Sequence, residues 1–202
     1  ILPPRVAPVK VVILPISTSD ETLNTKLLPM AREIEKKLNR VLGGNFVKVD
    51  TQFYMRPGER FFAHLQKGVP LRLELGEKEL AESCLMAVRR DTSEKRALAM
   101  DALEVLVPQL LEDIQENLFN RALTFREENT FSVSSLAEFK RIFENSGGFV
   151  RAYFGGGSEE EKAIKEIGGV TVRCFPLDDQ STGKCFFTGK EGARLAIFAK
   201  SY

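Results

Sequence analysis

The sequence predicts an α/β fold laid down twice, and three observations predict it. Residues 9–16, VKVVILPI, make a nearly continuous apolar run, as a central strand buried on both faces requires. Residues 68–76, GVPLRLELG, alternate instead: Val69, Leu71, Leu73 and Leu75 point one way, Arg72 and Glu74 the other. Around these runs lie segments with apolar residues at helical spacing, each closed by glycine.

In chain order, the first strand covers 9–16. Leu27, Met30, Ala31, Ile34, Leu38 and Val41 then recur on one helical face from Lys26 onward, and Gly43-Gly44 stops that helix. FVKVD (46–50) is a second strand and 59–67 a shorter helix ended by Gly68. The alternating stretch is the third strand, 78–83 a short helix and 85–88 a fourth strand, with Asp91-Thr92-Ser93 as a turn. Asp101 with Glu104 forms a capping box for a long helix reaching about Glu127, which Pro108 either kinks or starts. A second unit follows. Ser135 with Glu138 and Ser158 with Glu161 cap two helices, ended by Gly147-Gly148 and Gly168-Gly169. Strands are expected at 149–154, 170–175, 185–187 and 194–199.

The composition, 43% hydrophobic and 28% charged over 202 residues, is that of an ordinary globular chain. No apolar run approaches the roughly 18 residues of a membrane span. Three scattered cysteines, Cys84, Cys174 and Cys185, argue against a disulfide framework and for a reducing, cytoplasmic setting. The start, Ile1-Leu2-Pro3-Pro4-Arg5, reads as a piece of a longer polypeptide with a stiff linker. A net charge of +1 confines any polyanion-binding surface to a local patch.

Catalytic constellations are missing. His64 is the one histidine and is expected to be a packing or surface residue. There is no Ser/His/Asp set, no G-x-S-x-G and no paired cysteine spacing. Gly155-Gly156-Gly157 before Ser158 resembles a phosphate cradle but lacks the Gly-Lys-Ser/Thr ending, so a plain turn is expected. Arg72 and Glu74 remain. They make either a weak ion pair on a solvated sheet face or a binding site near the C-terminal edge of a strand, where α/β sheets gather ligands. An arginine fork and a carboxylate together match an unstacked guanine, whose O6 and N7 accept while N1–H and the N2 amino group donate.

The stretches ILPPRVAPVKVVILPI, RPGERFF, KGVPLRLELG, AVRRDTSEK, LFNRALTFREENT and IFAKSY, in this order, resemble the prolyl-tRNA synthetase family, in its eukaryote-like and archaeal-like branch. The resemblance covers essentially the whole chain and lies after that family's catalytic domain. It implies a linker at 1–8, an anticodon-binding domain at 9–120 with a five-stranded mixed sheet and flanking helices, and a small α/β C-terminal domain at 121–202. It implies recognition of the tRNA(Pro) anticodon stem-loop, whose two guanines complement proline codons. The parent would be an ATP- and Mg-dependent proline–tRNA ligase, and this piece would be inactive alone, without cofactor. Phe61 would stack a base, Arg72 with Glu74 would meet a guanine, Lys78 and Glu79 would sit beside the bases, and Arg89 and Arg90 would contact phosphate or support the fold. Tyr202 would turn towards the parent's active site. Leu65 stands where the family has an acid, and Glu79 where it has Asp. The family's four zinc cysteines fall on Gly155, Glu160, Cys185 and Thr188, so no zinc is expected, and Cys174 is read as a core residue. Phe149, Phe154, Phe175, Phe186, Phe187 and Phe198 would then hold the second domain together. A monomer is expected here and a homodimer for the parent, whose catalytic domain would be a partner. The alternatives are a stand-alone protein-interaction module, with the Arg72 strand as its edge, and a small nucleotide-binding enzyme, against which the missing G-x-G-x-x-G counts.

Overall fold

The computed structural model describes residues 1–145 and 147–200 and divides the chain into two compact units, Ile1–Arg121 and Ala122–Tyr202. In the first unit β1 (Val11–Pro15) is buried throughout, as its unbroken apolar run demands. It pairs in parallel with β2 (Val47–Val49) and β3 (Leu71–Leu75); β3 pairs antiparallel with β4 (Cys84–Arg89), and β4 with β5 (Lys95–Ala99). The result is a five-stranded mixed sheet in the order β2-β1-β3-β4-β5.

One face of this sheet carries Val11, Ile13, Leu71, Leu73, Leu75, Leu85 and Leu98 into the main core. Helix α2 (Leu28–Val41) packs Ala31, Ile34 and Leu38 there, and α5 (Leu103–Glu128) packs Leu103, Val107, Leu110, Leu111 and Ile114. Each fully buried leucine contributes about 1.5–3 kcal/mol. The other face is covered in part by α3 (Pro57–Gln66), whose Phe61 packs on Val12, Leu14 and Val69.

Several elements differ from expectation. The first helical segment starts before Lys26: Ser19 caps α1 (Asp20–Thr22), and a π-helical turn over Leu23–Leu27 joins it to α2. Pro108 lies inside α5, which begins at Leu103 after a 3₁₀ turn, Met100–Ala102. The chain pattern did not announce β5, because it is an edge strand in which only Leu98 is buried. Residues 1–7 pack against the first unit: Leu2 N–H donates to the Gly68 carbonyl, Ala7 is buried, and Arg5 pairs with Glu112 at 2.6 Å.

In the second unit the order is β6-β7-β10-β8, with β9 also on β10. The strands are β6 (Thr130–Ser132), β7 (Phe149–Phe154), β8 (Val170–Cys174), β9 (Thr182–Gly183) and β10 (Ala193–Lys200). Helices α6 (Leu136–Asn145) and α7 (Ser158–Lys165) cover this sheet's core through Phe139, Phe143 and Ile164. Ser135 caps α6 as expected, accepting from Glu138 N–H, while the Glu138 carboxylate reaches one residue further back and accepts from Ser134 N–H. At α7 the box is displaced by one residue, to Gly157 with Glu160.

The segment 185–187 is no strand. Cys185 N–H donates to the Lys190 carbonyl and Gly189 N–H to the Cys185 carbonyl, so local bonds close a tight turn. The aromatic core is Phe139, Phe143, Phe154, Phe186 and Phe198, linked by ring centroids 4.7–6.2 Å apart. Phe175 and Phe187 only flank it, and Phe149 is exposed. Cys174 is exposed as well, contrary to its reading as a core residue: it closes β8, whose last two positions face solvent.

Candidate functional site

Sheet register builds the site. On the face opposite the main core, Val12, Arg72, Val88 and Lys95 stand opposite one another across β1, β3, β4 and β5, and Leu14, Glu74, Met86 and Ala97 form the next row. Two residues apart on β3, Arg72 and Glu74 therefore share a face. Arg72 Nε and Nη2 both lie 2.8 Å from Glu74 Oε1, and its guanidinium lies over the Phe61 ring, 4.3 Å from the centroid. The pair is largely screened from water, at 15% and 16% side-chain exposure. The pair takes the second and fourth positions of the five-residue β3, so it is centred on the strand and not gathered at its C-terminal edge. Pro70 has no N–H to give, β3 begins only at Leu71, and Arg72 is its second residue.

Beside Arg72 opens a cleft of about 230 Å³. Val12, Val69 and Val88 line it with hydrocarbon, Phe61, His64 and Leu65 reach it from α3, and Arg72, Arg89, Arg90, Ser93 and Lys95 complete it. The arginines differ in how far they are committed. Arg89 forks onto Asp91 at 2.7 and 3.1 Å, while Asn117 of α5 donates to the same carboxylate at 2.6 Å. The Asp91 side chain is fully buried; burial pushes its carboxyl pKa up, yet the bonds from Arg89 and Asn117 outweigh this and hold it below its ordinary value. The hydrogen bond to Asp91 is likewise the main reason that Arg89 is held more firmly protonated than usual. Arg90 is different: its Nε is buried without a hydrogen-bond partner. An unpaired buried donor costs on the order of 1–3 kcal/mol.

Sequence reasoning missed a second buried network. Asp50, at the end of β2, receives Arg60 Nε at 2.9 Å and lies 2.5 Å from His64 Nε2, while Arg60 Nη1 donates to the Pro15 carbonyl at 3.1 Å. Burial raises the Asp50 pKa, but the His64 bond and then Gln52 and Arg60 bring it below its usual range. His64 is thus a tether fixing the cleft-lining helix to the sheet. The only available signal was Asp50 closing an apolar run, since Arg60 and His64 are ten and fourteen residues away.

Lys78 and Glu79 do not join the cleft. They lie in α4 (Glu77–Ala81), past the far end of β3. Lys78 is exposed, and Glu79 Oε2 accepts from Gly76 N–H at 3.0 Å, capping its own helix. Tyr202 lies outside the described residues.

Residues 10–110 match the family described as anticodon binding domain, and residues 136–202 match prolyl-tRNA synthetase, C-terminal. The chain belongs to the prolyl-tRNA synthetase family. It is 42% identical to a proline–tRNA ligase of Phocaeicola vulgatus, 38% to proline–tRNA ligase 2 of Bacillus thuringiensis and 39% to the ligase of Clostridium novyi. Each match covers all of this chain but only 41% of the relative. The chain therefore comprises the anticodon-binding and C-terminal domains of a prolyl-tRNA synthetase and spans 41% of the length of those relatives.

The zinc positions of the prolyl-tRNA synthetase C-terminal domain can be tested on chemistry. Gly155 has no ligand atom, and Glu160 Oε2 is taken by Gly157 N–H at 2.8 Å. Cys185 is buried, and its Sγ accepts from Thr188 N–H at 3.4 Å. Burial raises the pKa of this thiol, but bonds from the Thr188 side chain and from Thr188, Gly155 and Phe187 backbone groups bring it below its ordinary value. One sulfur already encircled by donors does not fit a closed tetrahedral zinc site, which needs four good ligands. Among the described residues no group of three or more His, Cys, Asp or Glu is placed to hold a metal ion. Gly156 serves packing: a Cβ there would meet the Phe154 ring at 2.6 Å.

Proposed function

We propose that this chain recognises the anticodon stem-loop of tRNA(Pro), reading its guanines on the open face of β3 and β4. The observation that carries this reading is Arg72, held over Phe61 and forked onto Glu74 beside a cleft lined by Arg90 and Lys95. An aromatic face offers about 1–3 kcal/mol per stacked base, and an arginine fork matches the O6/N7 edge of guanine. Arg89 supports the strand end and Glu79 its own helix, so neither reads a base directly. Lys78 meets phosphate from its exposed position. The parent ligase, cytoplasmic and dimeric, couples proline, ATP with Mg and tRNA in its catalytic domain. This part, a monomer without cofactor, adds anticodon identity and affinity.

The test is binding to two anticodon stem-loops, one with UGG and one with both guanines changed to adenine, at two salt concentrations. Wild type prefers UGG by about tenfold or more, and Arg72→Ala abolishes the preference. Binding weakens steeply with salt through the phosphate contacts. Equal wild-type affinity for the two loops would refute the reading.

A further inference from the structure

Every cation that borders the cleft is a donor, and no carboxylate among the described residues lines it. A guanine presents two edges with opposite requirements. O6 and N7 need donors, whereas N1–H and the N2 amino group need acceptors, which a carboxylate supplies as a pair. The acids packed around the cleft lie outside its lining. Glu74 stands in the neighbouring cross-strand row with Oε1 accepting from Arg72 twice, Asp91 is held by Arg89 and Asn117, and Asp50 by Arg60 and His64. Leu65 presents hydrocarbon to the cleft. Among the other lining side chains the acceptors are the Ser93 hydroxyl and the His64 ring, and neither can take N1–H and N2–H together. On the donor side Arg90 brings a buried Nε without a partner, and Lys95 and Arg72 stand in the row that floors the cleft.

Resting on the anticodon reading above, we infer that the cleft reads one guanine by its O6/N7 edge, with Arg90 as a specificity-determining residue, and leaves the N2 amino group unread. Inosine, which differs from guanine only by lacking that amino group, is then accepted at this position. 7-Deazaguanine, which keeps the Watson–Crick edge and loses N7, is penalised. Arg90 lines the cleft and offers its guanidinium as the donor fork for that edge.

The experiment uses UGG stem-loops in which each guanine in turn is replaced by inosine or 7-deazaguanine, with wild-type protein, Arg90→Ala and Arg90→Lys, folding being checked by thermal melting. At one of the two positions inosine is expected to bind within about twofold of guanine and 7-deazaguanine about fivefold or more weakly. The 7-deaza loss shrinks in Arg90→Ala and in Arg90→Lys, since an ammonium cannot reproduce the fork. A tenfold inosine loss at both positions, or no 7-deaza loss at either, overturns the inference while a UGG preference over the adenine loop leaves the anticodon reading intact. Loss of that preference in wild type removes both.

Discussion

At the scale of single residues, three arginines close together have three different roles. Arg72 was legible because period-two alternation puts it beside Glu74 on one face whatever the rest of the fold does. Arg89 and Arg90 were not separable in sequence, since nothing local marks Arg90 Nε as the unpaired one, and Asn117, which shares the Asp91 carboxylate with Arg89, lies 26 residues beyond Asp91. Arg89→Ala is expected to destabilise the protein by about 3 kcal/mol, because Asp91 keeps its charge and loses its fork; a shift in urea midpoint at unchanged slope measures this. Asp50 and Asp91 also set a pH dependence. Both carboxyls sit below their ordinary value near 3.8 when folded, so their contribution is complete above that pH and drains away as pH falls through the folded values. Asp91→Asn should therefore lower stability at about pH 7 and flatten the loss below about pH 4, followed by urea unfolding across that range.

At the scale of elements, legibility followed burial. Strands and helices with a deep apolar face, β1, β3, α2 and the Phe139 face of α6, carry their period in the sequence. The edge strand β5 and the short β6 and β9 do not, because edge pairing demands little of the side chains. Caps were legible in kind but not always in register: glycine replaced the expected Ser158 as the start of α7, since the Glu160 carboxylate reaches the backbone N–H of Gly157 without help from a hydroxyl. The same chemistry decides Glu79, whose carboxylate is tied back to Gly76. Glu79→Gln keeps an acceptor at the cap and should preserve both stability and stem-loop affinity, whereas Glu79→Ala loses about 0.5–2 kcal/mol of stability. Thermal melts of the two variants beside their RNA affinities separate a cap from a base reader.

At the scale of the molecule, each unit carries its own core, aliphatic in the first and aromatic in the second. The second unit is held by five packed phenylalanine rings and by the hydrogen-bonded Cys185 turn. EDTA is accordingly expected to leave the melting curve unchanged, while Cys185→Ala lowers stability through the lost sulfur contacts, about 1–3 kcal/mol; metal analysis of the protein and both melts check this together.

The stacked position of Arg72 also means that the free protein keeps the Phe61 face occupied by one of its own side chains. An arriving base competes with a resident guanidinium for the Phe61 face, and only a base that also satisfies that guanidinium elsewhere makes the exchange worthwhile. On the proposed anticodon reading, Arg72 is a gatekeeper against promiscuity as well as a reader. Its removal is expected to strengthen binding of an unstructured oligouridylate by about twofold or more while the UGG stem-loop weakens, and a fluorescence competition between the two RNAs would register that opposite movement directly.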